Sequence, residues 1–180
     1  MKHEGDATMS DFASMFNEKA REILSVEDNR QKVADLAYNN YKISFGCSQS
    51  ILAAFQEVLG LRDDFWFKAL GGLQGGGSSG LTCGALVTGW VLIGARVGRA
   101  RIEDGIEAIF PAFEPCQALT SWFKLMHKST VCSEITGVNW FDMNEVVAHY
   151  LGPKGQETVE QCARLTAGTA YRVADILGQL

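Results

Sequence analysis

The chain has 180 residues, 47% hydrophobic and 21% charged, so it can bury a substantial core and matches neither a disordered, a collagen-like nor a membrane composition. Its 16 basic against 21 acidic residues give a formal charge of -5, and no basic stripe appears, which argues against nucleic-acid binding. Met1 to Asp6 leads into charged helical sequence without the apolar run of a secretory signal, so a cytoplasmic address is expected, where cysteines persist as thiols.

Phe12, Met15, Phe16, Ala20, Ile23 and Leu24 recur at helical spacing after a Ser10 cap and predict a first amphipathic helix. Ser25-Val26-Glu27-Asp28 resembles a capping box with Asp in place of Glu. It opens a second helix whose stripe is Val33, Leu36, Ala37 and Tyr41, weakened at Asn39-Asn40 and broken at Phe45-Gly46. Ile51, Leu52, Phe55, Val58 and Leu59 define a third, with Cys47 at its start and Gly60 as its cap. A short helix over Asp63 to Leu70 follows, and then Gly71 to Gly80 reads as a flexible loop.

Leu81 to Ala95 is an uncharged run of fifteen residues, too short and too rich in small residues for a membrane span, so it predicts a buried core helix and no membrane insertion. Each glycine inside it costs about 1 kcal/mol relative to alanine and implies a packing or binding reason. Ile102 to Phe110 reads as helical until Pro111. Pro115 to His127 forms the next helix, with Leu119, Trp122, Phe123 and Met126 as its apolar face. Ser129 to Glu134 resembles a helix entry with Cys132 in its first turn, Gly137 ending the element. Asp142 to Leu151 is closed by Gly152-Pro153, and a last helix from Thr158 aligns Cys162, Thr166, Thr169, Val173 and Ile176 on one side. No segment alternates with period two, so the expected fold is all-α, a compact multi-helix bundle with a glycine-rich loop, in one domain over 1–180.

Five cysteines punctuate this pattern, and no two form a C-x-x-C, which removes the usual support for zinc-ribbon and thioredoxin readings. Any shared site of Cys47, Cys83, Cys132 and Cys162 must be assembled by folding. Buried cysteine also serves as a small hydrophobe, and that alternative stands beside the site reading. Cys47, Cys83 and Cys132 fall at predicted helix starts, where free N–H groups and the helix dipole stabilise thiolate. The glycine loop lacks the G-K-[ST] ending of a phosphate loop, and a plain connection or close backbone approach to the site explains it better. His127 and His149 have no partner at ligand spacing and read as surface or packing residues, Glu134 suits its helix dipole, and the four tryptophans read as core.

Taken together, these contexts make the chain similar to the redox-active four-cysteine family named for its CGAxxG motif (C_GCAxxG_C_C), a family related to the domain of split-Soret-type cytochromes. The resemblance runs from about Ala34 to Leu177, with residues 1–33 as an N-terminal helical extension. It rests on Gly46-Cys47-Ser48-Gln49-Ser50, the glycine loop before Cys83-Gly84-Ala85, Cys132-Ser133-Glu134-Ile135-Thr136-Gly137, and Cys162. Thr88 stands where the motif has glycine, and Gly89 follows. The resemblance implies a redox site at Cys47, Cys83, Cys132 and Cys162, with Cys116 outside it, and, from the split-Soret relatives, an iron–sulfur cluster. The expected function is therefore electron transfer through a cluster of the [2Fe–2S] type, with an unidentified redox partner protein and a homodimer left open. A thiol–disulfide protein and a structural zinc bundle are the alternatives. A c-type haem is not implied, because no C-x-x-C-H occurs.

Overall fold

The computed structural model describes residues 9–153 and 155–180, with the backbone alone for residues 9–13 and 15. Its helices are α1 (Met9–Leu24), α2 (Glu27–Ser44), α3 (Cys47–Leu59), α4 (Asp64–Leu70), α5 (Gly84–Val97), α6 (Phe113–His127), α7 (Cys132–Thr136), α8 (Met143–Leu151) and α9 (Gly155–Gln179). The described residues contain no strand, only one antiparallel bridge between Thr82 and Val131. The fold is a compact all-α bundle, and none of the described helices is long and apolar enough to cross a membrane.

The 25-residue α9 is the spine, about 37 Å long at 1.5 Å per residue. It packs most extensively on α2 and also meets α1, α3, α5, α6 and α8. Thr166, Thr169, Val173 and Ile176 are buried as their spacing predicts, and α9 begins three residues before Thr158. The core around it joins Phe16 and Leu24 of α1, Ile51 and Phe55 of α3, Leu86 and Ile93 of α5, Leu119 and Phe123 of α6, and Val173 and Leu177 of α9. Side chains Phe12 and Met15 and the Ser10 cap lie outside the described side chains; the helix itself starts at Met9.

Gly89 explains one of the glycines of α5. A Cβ there would stand 2.5 Å from Leu119 Cδ2 and 2.8 Å from Val173 Cγ2, so only glycine lets α5 seat between α6 and α9 at this separation. Thr88, one position earlier, is fully buried instead.

Local chemistry departs from the sequence pattern in four places. The capping box at Ser25 does not form: the cap of α2 is Val26, without a side-chain bond. Ser25 Oγ instead donates to the Glu22 carbonyl at 2.7 Å, and Asn29 and Arg30 donate to the carbonyls of Ile23 and Leu24 at 2.8 and 2.9 Å. The free carbonyls at the end of α1 thus take the donors. Residues 102–110 form 3-10 turns, Ile102–Asp104 and Glu107–Ala112, separated by Gly105 at φ +76°. Helix α6 starts at Phe113, and Met126 faces outward while Leu119 and Phe123 are buried.

The fourth departure is the glycine-rich segment, which is a specific turn and not a slack connection. After a 3-10 turn at Gly71–Leu73, residues Gly75, Gly76, Gly77 and Ser78 all take left-handed conformation, at φ 60°, 63°, 68° and 55°. Consecutive left-handed residues cost about 1–2 kcal/mol each for anything but glycine, which accounts for the composition. Trp140 covers the turn: a Cβ on Gly75 would stand 2.5 Å from its Cζ3, and one on Gly80 2.9 Å from its Cδ1.

Candidate functional site

Folding brings Cys47, Cys83, Cys132 and Cys162 to the wall of a single cavity, from four different helices or helix starts. Cys47 is the first residue of α3, released from α2 by the left-handed Phe45 and by Gly46. Cys83 caps α5, and Cys132 begins α7. The Thr82–Val131 bridge holds these two side by side: the Cys83 N–H donates to the Thr130 carbonyl at 2.8 Å, and the Cys132 N–H to the Leu81 carbonyl at 2.6 Å. Cys162 enters from the second turn of α9, in a small cluster with Tyr41, Val159, Ala163 and Tyr150. Cys83 and Cys132 are buried, Cys47 and Cys162 partly so.

The approach is close because one position lacks a side chain. A Cβ on Gly84 would stand 2.9 Å from Cys47 Sγ and 2.4 Å from the Leu73 carbonyl oxygen. The free space in the cavity, for the centre of a water-sized sphere, is about 20 Å³, room for roughly one water, so sulfur and aromatic carbon fill most of it. Tyr41, Phe45, Trp140, His149 and Tyr150 complete most of its wall.

Electrostatics distinguishes the four thiols. Cys83 hydrogen-bonds Cys47, and the backbone N–H groups of Ser48, Gly75 and Ala85 point at the same sulfur, which together hold the Cys47 thiol below its ordinary pKa despite burial. Two of these donors belong to the first turns of α3 and α5 and the third to the left-handed turn, so both helix starts and the glycine segment converge on one thiolate. Cys83, as the donor of that bond and buried beside the negative charge, is pushed well up. Burial pushes Cys132 up to about 12, with the charges of Cys47 and Cys162 adding to it. Burial likewise raises Cys162 to about 11, against the pull of the Tyr41 hydroxyl, which donates to it. Cys47 is thus the most acidic-shifted of the four thiols, and the other three are shifted the opposite way.

Among the described residues, no group of three or more His, Cys, Asp or Glu side chains is arranged to hold a single metal ion. Cys116 sits on α6 against the main core, away from the cavity, and burial raises its pKa. Glu134 is exposed and accepts from Ser129 Oγ, a helix-start role. His127 packs against Trp122 and Phe123 at ring separations of 6.0 and 4.6 Å, also outside the cavity. His149, expected as a surface or packing residue, is 5% exposed and packs between Trp140 and Tyr150, and its place on the cavity wall is what the sequence does not indicate. Tyr41, Trp140, Tyr150 and His149 carry no spacing signal that marks them as site residues, because they arrive from three separate segments.

The model of the family described as "Putative redox-active protein (C_GCAxxG_C_C)" matches residues 45–176, a span that holds all four cavity cysteines and Cys116. No curated protein and no solved structure matches the chain.

Proposed function

This chain belongs to the C_GCAxxG_C_C family of redox-active proteins, and on that premise we propose that it transfers electrons through an iron–sulfur centre held by Cys47, Cys83, Cys132 and Cys162. The observation that carries the proposal is the convergence of four cysteine side chains, from four helices or helix starts, on one cavity. The donor set fits: four thiols, three backbone N–H groups already directed at sulfur, and no carboxylate among the lining residues. Such a centre supplies one-electron chemistry at a potential set by its surroundings.

The two-iron form suits the four-cysteine set. Each of its irons needs only two cysteines, so no three-ligand group about a single point is required, whereas a four-thiolate zinc needs one. Two thiolates on one tetrahedral metal are close neighbours, and Cys47 and Cys83 are already hydrogen-bonded to each other. The residues of this chain then have separate tasks. Ser48, Gly75 and Ala85 stabilise negative sulfur, Trp140 and Tyr150 exclude water, and the Tyr41 hydroxyl orients Cys162.

A specific observation also favours the thiol–disulfide reading: Cys83 hydrogen-bonds Cys47 and lowers its pKa, the arrangement from which a disulfide grows. Visible absorption with iron and sulfide analysis of anaerobically purified protein separates the two. The electron-transfer proposal expects colour, iron and acid-labile sulfide in equal amounts. Colourless protein that titrates as one dithiol and lacks both elements after anaerobic reconstitution overturns it in favour of dithiol chemistry.

A further inference from the structure

The cavity has polar features that the four cysteines do not use. Trp140 Nε1, His149 Nδ1 and Thr166 Oγ1 are buried without a hydrogen-bond partner, and all three residues line the cavity. Leaving such a group unmade costs about 1–3 kcal/mol each, so three around one space indicate an acceptor that belongs there. Thr166 is informative because a helical threonine ordinarily returns its hydroxyl to the carbonyl four residues back, as Thr169 does to Leu165 at 2.8 Å. Thr166 is fully buried and makes no such bond.

We infer that Trp140, His149 and Thr166 form a donor set for the inorganic sulfide of the bound centre, the part that the cysteines do not supply. The inference rests on the iron–sulfur reading and adds its second half: four thiolates hold the irons, and an indole N–H, an imidazole N–H at Nδ1 and a hydroxyl receive the sulfide face. All three can donate to one anionic, polarisable acceptor, and Trp140 can only donate. Donors to cluster sulfur stabilise the reduced, more negative state more than the oxidised one, so these residues raise the reduction potential. They are positioning residues and take no part in iron ligation.

The test uses full-length protein reconstituted anaerobically with ferrous iron and sulfide. Wild type, Trp140→Phe, His149→Phe, Thr166→Val and Thr166→Ser are compared by iron and acid-labile sulfide content and by reduction potential from a spectroscopic titration. Thr88→Val is the control, since Thr88 Oγ1 is equally buried and unpartnered but Thr88 does not line the cavity. The expected result is unchanged iron and sulfide content, a shift to lower potential in the first three variants, and wild-type potential in Thr166→Ser and Thr88→Val. Should one variant fail to fold, the other two carry the comparison. Unchanged potentials in every folded donor variant, with sulfide bound, overturn the donor set while leaving the iron–sulfur reading intact. A shift in Thr88→Val as large as in Thr166→Val reduces the effect to general packing and overturns it too. Wild type that takes up neither iron nor sulfide removes both the inference and the function beneath it, a distinct outcome.

Discussion

Gly84 carries the tightest constraint in the site. Its missing side chain lets Cys47 Sγ and the Leu73 carbonyl approach the start of α5, and a methyl group there must displace backbone oxygen. Gly84→Ala is expected to lower stability by about 1–3 kcal/mol, the usual cost of overpacking, and to free the Cys47 thiol for alkylation under native conditions. Denaturant unfolding and the rate of thiol labelling check both effects. The sequence places Cys47, Cys83 and Cys132 at helix starts because glycine and polar residues mark those starts locally. It gives no indication that Gly84 abuts Cys47, or that Trp140 and His149 join them, because those contacts bridge dozens of residues and leave no periodicity. His149 in particular looks like an ordinary helix-face residue until α8 folds against the cavity.

At the scale of elements, the glycine segment is the main difference between pattern and structure. Composition alone reads as a flexible connection, and only the backbone shows that residues 75–78 wind left-handed beneath Trp140. Gly75→Ala is expected to destabilise by more than about 1 kcal/mol, since it combines a positive φ with an indole at 2.5 Å. Gly77→Ala, with the same sign of φ but open space around it, should cost less; thermal unfolding of the pair separates strain from contact. The end of α6 gives a prediction in pH. A helix C-terminus favours charged imidazole, but burial against Trp122 and Phe123 wins and lowers the pKa of His127. The groove that it faces also holds Lys128, Glu134 and Arg164. Its folded pKa lies below the ordinary 6.5, so its contribution to stability is full above that value and is lost as pH falls through it. His127→Gln should flatten the fall in unfolding midpoint between about pH 7.5 and 5.5.

For the molecule as a whole, the helical pattern carried most of the architecture, because the apolar stripes of α2, α3, α6 and α9 are long and regular and one spine helix gathers them. The assembly of the four cysteines was legible only through the family resemblance, since no pair sits at ligand spacing. The structure also indicates what air should do. The glycine turn is covered by Trp140 and therefore shields the site, but Cys47 and Cys83 are hydrogen-bonded, so loss of the proposed centre would leave two thiols side by side, Cys47 with its pKa lowered. Oxygen or peroxide that takes two electrons from this pair forms one disulfide, and mass mapping of aerobic, colourless protein should find it between Cys47 and Cys83, reducible before iron is restored. The central claim is that four of the five cysteines form one site. Its most direct test is iron and acid-labile sulfide content in five anaerobically reconstituted variants, each with one cysteine changed to serine. Cys47→Ser, Cys83→Ser, Cys132→Ser and Cys162→Ser should each lose most of the bound iron and sulfide while Cys116→Ser keeps the wild-type amount. Equal retention in all five, or a loss in Cys116→Ser as large as in the others, would contradict the account.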